Sequence, residues 1–208
     1  MPGTTEMVHI VDDDAAIRDS LRVLLEASGF TVRGHESAAV FLAAAPGLGG
    51  CVLTDVRMPG MDGLELQRWL NEHGVRLPVI VMTGQADVPV AVAAMKAGAV
   101  DFLEKPFDDE ALLGAVRRAL EESHRRQEIE AEAAAARGLL GSLTPREREV
   151  FDLLVTGLPT KAIANKLGAS PRTIEVHRGR VFEKLHAGSL PDLVRLMIAA
   201  QSEERPAH

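Results

Sequence analysis

The sequence predicts two folded parts: a doubly wound α/β domain on a parallel sheet, then an all-α unit of four short helices. Two observations carry this prediction. Through the first 122 residues, short apolar runs alternate with helix-like stretches, the order expected of parallel strands wrapped by helices. Beyond residue 141 the chain shows Thr-Pro and Ser-Pro helix starts, with apolar residues at helical rather than strand spacing.

The strand-like runs share one chemical property: each ends in a reactive or charged group. Val8-His9-Ile10-Val11 runs into Asp12-Asp13-Asp14, and Cys51-Val52-Leu53-Thr54 ends at Asp55 before a turn closed by Pro59, Gly60 and Gly63. Pro78-Val79-Ile80-Val81-Met82 leads to Thr83-Gly84, and Asp101-Phe102-Leu103-Glu104 to Lys105-Pro106. In an open parallel sheet the ligand crevice lies at the carboxyl ends of the strands. Carboxylates, a hydroxyl and an ammonium would then surround Asp55 at one edge. This set suits phosphoryl transfer to a carboxylate nucleophile. Asp12, Asp13 and Asp55 offer hard oxygen ligands for Mg²⁺, Lys105 a fixed positive charge, and Thr83 a hydrogen-bond donor.

These residues resemble the receiver domain of bacterial response regulators over about residues 6 to 122. The match rests on Val11-Asp12-Asp13, Asp55 with Met58-Pro59-Gly60-Met61-Asp62-Gly63, Thr83-Gly84, and Lys105-Pro106-Phe107. The resemblance implies a five-stranded, flavodoxin-like sheet and phosphorylation of Asp55 by a sensor histidine kinase. It further implies that the backbone carbonyl of Arg57 completes the Mg²⁺ shell and that the Lys105–Pro106 bond is cis. It also assigns a switch, in which the Thr83 hydroxyl turns toward the phosphoryl group and the ring of Phe102 fills the vacated space. Phe102 lacks a hydroxyl, so its part in the switch is packing alone.

Composition bounds the remaining possibilities. The chain of 208 residues has one cysteine, Cys51, so no intramolecular disulfide framework exists and a reducing, cytoplasmic compartment is expected. Its first residues are too few and too polar for a signal peptide, and no uncharged apolar run has spanning length, so no membrane association is expected. The net charge of −7 is unevenly spread. Residues 1–122 carry 10 basic and 19 acidic side chains, residues 142–208 carry 10 and 8, and the segment between them is balanced. Only the carboxyl-terminal part could approach a polyanion, and its charge alone does not announce nucleic-acid binding.

Residues 123–141 are rich in Glu, Arg and Ala, strong helix formers without a broad apolar face. Ahead of them Leu112, Leu113, Val116 and Leu120 show helical spacing, so this segment reads as the last helix of the first domain continuing as a helical linker to about Gly138–Gly141. Thr144, Pro145 and Glu147 then form an N-cap, N1 proline and capping box. That helix carries Val150, Phe151, Leu153 and Leu154. A second runs from Thr160 to Gly168 with Ile163, Ala164 and Leu167 inward. Ser170-Pro171 opens a third, with Ile174, Val181 and Leu185 on its apolar face, and Leu190–Ala200 forms a fourth.

The second and third helices, joined by Gly168-Ala169-Ser170, read as a helix-turn-helix whose second helix enters the major groove. The segment from about 139 to 204, with the domain itself set at 142–204, closely resembles the LuxR-type helix-turn-helix. The matching motifs are Leu143-Thr144-Pro145-Arg146-Glu147, Lys161-Ala162-Ile163-Ala164, Ser170-Pro171-Arg172-Thr173-Ile174-Glu175-Val176-His177 and Lys184-Leu185. The resemblance places Glu175, Val176 and Gly179 toward bases, and Lys161, Arg172, Thr173, His177, Arg178 and Lys184 toward phosphates. Gly179 departs from a side-chain reader, and Glu175 suits acceptance of a bond from cytosine.

A receiver followed by a LuxR-type domain is the plan of the NarL/FixJ family, and the wording of the motifs leans to its FixJ branch. The implied function is a two-component response regulator and transcription factor that, once phosphorylated, dimerises and binds double-stranded promoter DNA. RNA polymerase is the further partner expected. The dimer face is expected on the fourth receiver helix, near Val88 to Ala97, with Val90, Ala91 and Ala94, and on the fifth strand. Two rival readings are weaker. An Asp-nucleophile phosphatase of the haloacid-dehalogenase kind needs a second Asp two residues after the nucleophile, where this chain has Arg57. A phosphorylation-independent regulator would have no need of the full set Asp12, Asp13, Asp55, Thr83 and Lys105.

Overall fold

The computed structural model describes residues 7–44, 49–84 and 88–202. The chain divides into two compact units, Met1–Arg125 and Arg126–His208. In the first, five parallel strands are ordered β2-β1-β3-β4-β5: β1 (Met7–Val11), β2 (Thr31–His35), β3 (Cys51–Asp55), β4 (Val79–Thr83) and β5 (Asp101–Glu104). β3 and β4 are buried throughout, as their unbroken apolar runs predict. β2 pairs with β1 from Met7↔Thr31 to Val11↔His35. It lies within a stretch that reads in the sequence as helix-like, and it was expected only through the resemblance. As an edge strand it is paired on one side only, and of its five residues only Val32 is aliphatic and bulky.

Helices close over both faces. On one, α1 (Ala15–Ala27) and the first part of α5 (Asp109–Gly141) set Leu21, Leu25, Leu112, Val116 and Leu120 against Val8, Ile10, Leu53 and Ile80. On the other, α2 (Ala38–Leu42), α3 (Gly63–Glu72) and α4 (Val88–Lys96) set Phe41, Leu66, Leu70 and Ala94 against Val11, Val52 and Val81. Asp14 is the N-cap of α1, its carboxylate accepting from Ala16 N–H, which removes the third Asp of the run from the sheet edge. Asp62 and Glu65 form a capping box that starts α3. Near the end of α3, the indole of Trp69 stacks on His73 at 3.8 Å.

α5 is continuous over 33 residues and ends at Gly141, in line with the helical linker read from the sequence. In the second unit α6 (Pro145–Leu154), α7 (Thr160–Lys166), α8 (Pro171–Lys184) and α9 (Leu190–Gln201) follow. Their core joins Leu140 to Val150, Phe151, Leu154, Ile163, Ile174, Val181, Leu185 and Leu193. The capping box at Thr144 and the Ser170 N-cap with Pro171 at N1 are both present. Gly168 lies at φ +60° in the turn between α7 and α8, a conformation that favours glycine.

Candidate functional site

Parallel pairing brings the carboxyl ends of β1 and β3 side by side, with β4 and β5 beyond them. Asp12, 1% exposed, follows β1, and Asp55, 9% exposed, ends β3. The Lys105 ammonium, carried by the residue after β5, joins the two: Nζ donates to Asp55 Oδ1 at 2.6 Å and to Asp12 Oδ2 at 3.0 Å. Burial acts to lower the Lys105 pKa and is the largest single influence. The hydrogen bonds and charges of Asp55 and Asp12 together outweigh it, so the net shift is upward and the lysine is held charged.

Main-chain donors complete the pocket. Arg57 N–H donates to Asp55 Oδ2 at 2.7 Å, folding the turn back over the carboxylate, and Asp14 N–H donates to Asp12 Oδ1 at 2.9 Å. Gly63, at the start of α3, leaves room for the main chain at Asp55. A Cβ there would stand 2.2 Å from the Asp55 carbonyl oxygen. The Lys105–Pro106 bond is cis, as the resemblance implies.

Asp13, expected with Asp12 and Asp55, is exposed and shares none of their hydrogen bonds with Lys105. Among the described residues no three acidic, histidine or cysteine side chains converge as a ready-made metal site. Asp12 and Asp55 still present an all-oxygen pair whose charge Lys105 balances, a donor set suited to a hard divalent cation. Thr83 is buried at the end of β4, one residue past the partner of Asp55. Phe102 pairs with Val81 and packs half-buried on the same sheet face as Thr83. Arg18 was not singled out from the sequence. Its Nη1 donates to the Asp12 carbonyl at 2.7 Å, and an arginine one helical turn past a cap carries no local signal of that contact.

The second unit presents α8 as an exposed polar helix behind its turn. Lys161, Arg172, Thr173, Glu175, Val176 and Gly179 are exposed, whereas His177, Arg178 and Lys184 are half-buried. Three of these have partners that the sequence did not disclose. Lys184 Nζ donates to Glu147 Oε2 at 2.6 Å and to the Ser142 carbonyl at 3.2 Å, so its charge is directed into the unit. Glu175 Oε1 accepts from the Thr160 hydroxyl at 2.5 Å, and Arg178 Nη1 donates to Thr160 Oγ1 at 2.6 Å. Glu147 is buried, 2% exposed as a residue. Lys184 first, and then the Thr144 N–H, bring its pKa down to about 2. Nδ1 of His177 is buried without a hydrogen-bond partner among the described residues, which is least costly when the ring proton sits on Nε2.

On α4 the expected dimer-face residues are placed differently from the expectation. Ala94 is buried, Val90 packs against the core and Ala91 is half-buried. The exposed apolar ridge is Val88, Val92 and Met95, at helical spacing.

Comparison with known proteins agrees with both halves. Residues 8–117 match the family model of the response regulator receiver domain, and residues 141–197 match that of bacterial regulatory proteins of the luxR family. The transcriptional regulatory protein FixJ of Azorhizobium caulinodans is 53% identical over 194 residues, covering 93% of this chain and 92% of that protein. Among solved structures, the response regulator StyR aligns at a TM-score of 0.82 with 40% identity, over 92% of this chain and 98% of that one. Full-length FixJ from B. japonicum aligns at 0.58 with 47% identity, over 96% and 98%.

Proposed function

Since the chain belongs to the FixJ-like response regulators of two-component systems, transcription factors that join a receiver to a LuxR-type DNA-binding domain, we propose that its input is phosphorylation of Asp55 by a sensor histidine kinase. Its relatives are transcriptional regulators rather than enzymes, and Arg57 occupies the place where a phosphatase of the Asp-nucleophile kind carries its second acid. The domains are a receiver over about 6–122, a helical linker over 123–141 and a DNA-binding domain over 142–204. Glu6, Glu203 and Glu204 lie outside the described residues.

The observation that carries the reading is the bridge of Lys105 between Asp12 and Asp55. A carboxylate oxygen of Asp55 attacks the phosphorus of a phosphohistidine. The P–N bond breaks, and its electron pair stays with the imidazole. Lys105 leaves Asp55 Oδ1 for a phosphoryl oxygen, and Arg57 N–H keeps the aspartyl group oriented. Receiver domains generally bind Mg²⁺ at this site. Here Asp12, Asp13, Asp55 and the Arg57 carbonyl would hold it, and when bound it neutralises charge on the incoming group. Thr83 then donates to the phosphoryl group, and Phe102, on the same face, takes up the vacated space.

The output is binding to double-stranded promoter DNA by dimers, with RNA polymerase the further partner. Val88, Val92 and Met95 supply an unpaired apolar ridge for the receiver pair, in place of Val90, Ala91 and Ala94. Lys161, Arg172, Thr173, His177 and Arg178 face phosphates, and Val176 faces bases beside the open backbone of Gly179. Lys184 braces α6 instead. A target on promoter DNA sets its site of action in the cytoplasm; no helix of the described residues is long and apolar enough to cross a membrane. The test is molar mass by light scattering with Mg²⁺, before and after acetyl phosphate or beryllofluoride, on the wild type and Asp55→Asn. Mass doubling in the wild type alone is expected. An unchanged wild-type mass with Asp55 shown to be modified would remove dimerisation as the output.

A further inference from the structure

On the polar face of α8 the family resemblance puts three base-facing positions, Glu175, Val176 and Gly179, but the structure gives Glu175 other partners. Its Oε1 accepts from the Thr160 hydroxyl at 2.5 Å. The same hydroxyl oxygen accepts from Arg178 Nη1 at 2.6 Å, and Arg178 stands 3.5 Å from the Glu175 carboxylate. An exposed i,i+3 ion pair on one helix would by itself count for little. This one is tied through Thr160 to the first turn of a different helix.

That turn has no local support of the usual kind. The N-cap of α7 is Pro159, which makes no side-chain cap hydrogen bond, and the first turn holds no acidic residue. At the other end of α7, Arg146 Nη2 donates to the Leu167 carbonyl at 2.7 Å. Hence α7 is held at its end by α6 and at its start by the Glu175–Thr160–Arg178 cluster on α8. With Oε1 engaged by Thr160 and Arg178, only Oε2 is left to accept from a cytosine amine, and using it would carry a negative charge in among the phosphates.

We infer that Glu175 does not read a base but is a positioning residue: it locks the start of α7 to α8 and fixes Arg178, leaving Val176, 51% exposed, as the side chain that reads. This rests on the DNA-binding reading of α8, and the experiment separates the two.

Full-length, phosphodonor-treated protein would be used to select from a pool of duplexes with a randomised core. The wild type, E175A, E175Q, T160V, T160V/E175A and V176A would each be profiled, with thermal unfolding of every variant measured alongside. For E175A the expected result is an unchanged base preference at every position, with affinity for the best wild-type duplex roughly tenfold weaker. E175Q loses the charge but keeps the acceptor oxygen, and it should bind at least as tightly as the wild type. This variant carries the test should E175A fail to fold. Added to T160V, E175A should cause no further loss, because the two act through one contact. V176A should flatten the preference at its own base pair. Loss of preference at a single base pair in E175A or E175Q, with the other positions unchanged, would overturn the inference. So would an E175A variant that matches the wild type in both affinity and profile. If the wild type selects no sequence, the DNA-reading assignment of α8 fails first and takes this inference with it.

Discussion

Lys105 is the residue on which the receiver pocket turns. Two buried carboxylates within reach of one ammonium are stable only while it is present, because removing one partner leaves unbalanced charge in a poorly solvated place. Lys105→Met should therefore lower the unfolding free energy of the receiver by about 3 kcal/mol in chelator. Millimolar Mg²⁺ should restore part of that loss, and urea titration with and without the cation checks both. Glu147 is the counterpart in the second unit. Its pKa in the folded state is held at about 2, below that of the unfolded chain. The stabilisation it contributes is thus complete above the ordinary carboxylate range and is lost as pH falls toward 2. Glu147→Gln should lower the melting temperature of the DNA-binding unit at neutral pH and leave it less sensitive to acid. Combining it with Lys184→Met should do less than the sum, since both break one ion pair.

At the scale of elements, legibility followed burial and locality. β3 and β4 announce themselves as continuous apolar runs because both of their faces are covered, and the caps at Thr144 and Ser170 are local signals. Asp12, Asp55 and Lys105 were legible for a related reason: each ends a strand-like run, and parallel pairing alone brings such ends together. β2 was not legible as a strand, since an edge strand of Thr, Val, Arg, Gly and His has little apolar pattern to show. Its buried residue, His35, forms a pair that no local rule discloses. His9 Nδ1 lies 3.2 Å from His35 Nε2, and His9 Nε2 lies 3.3 Å from the Gly49 carbonyl. That carbonyl can only accept, so His9 carries its proton on Nε2 and receives from His35 at Nδ1. Burial above all lowers both pKa values, that of His35 to about 4, with His9 and Arg33 adding to it. The unfolded chain binds these protons near pH 6.5, so receiver stability should be full above that pH. It should fall as pH drops toward 4, by at most about 1.4 kcal/mol per pH unit for each histidine. His35→Phe, measured by chemical denaturation across pH 4–7, should flatten the slope.

For the molecule as a whole, the expected dimer face shows what a sequence reading can and cannot reach. The sequence marks small and apolar residues on α4, but which of them face outward depends on how the helix lies on the sheet, and that is a tertiary matter. Ala94 went to the core, and Val88, Val92 and Met95 stayed outside. Met95→Glu should leave Asp55 phosphorylation intact and abolish the mass doubling, whereas a monomer–dimer shift equal to the wild type would place the contact elsewhere.

One ring on α3 makes these transitions visible without any label. Trp69 is the only tryptophan in a chain with no tyrosine, so near-ultraviolet emission comes almost entirely from a single indole stacked on His73. The helix that carries it begins at Gly63, directly against the main chain of Asp55. A fluorescence change on phosphodonor addition would report on one helix next to Asp55, and its independence of protein concentration would separate that step from self-association in a single cuvette.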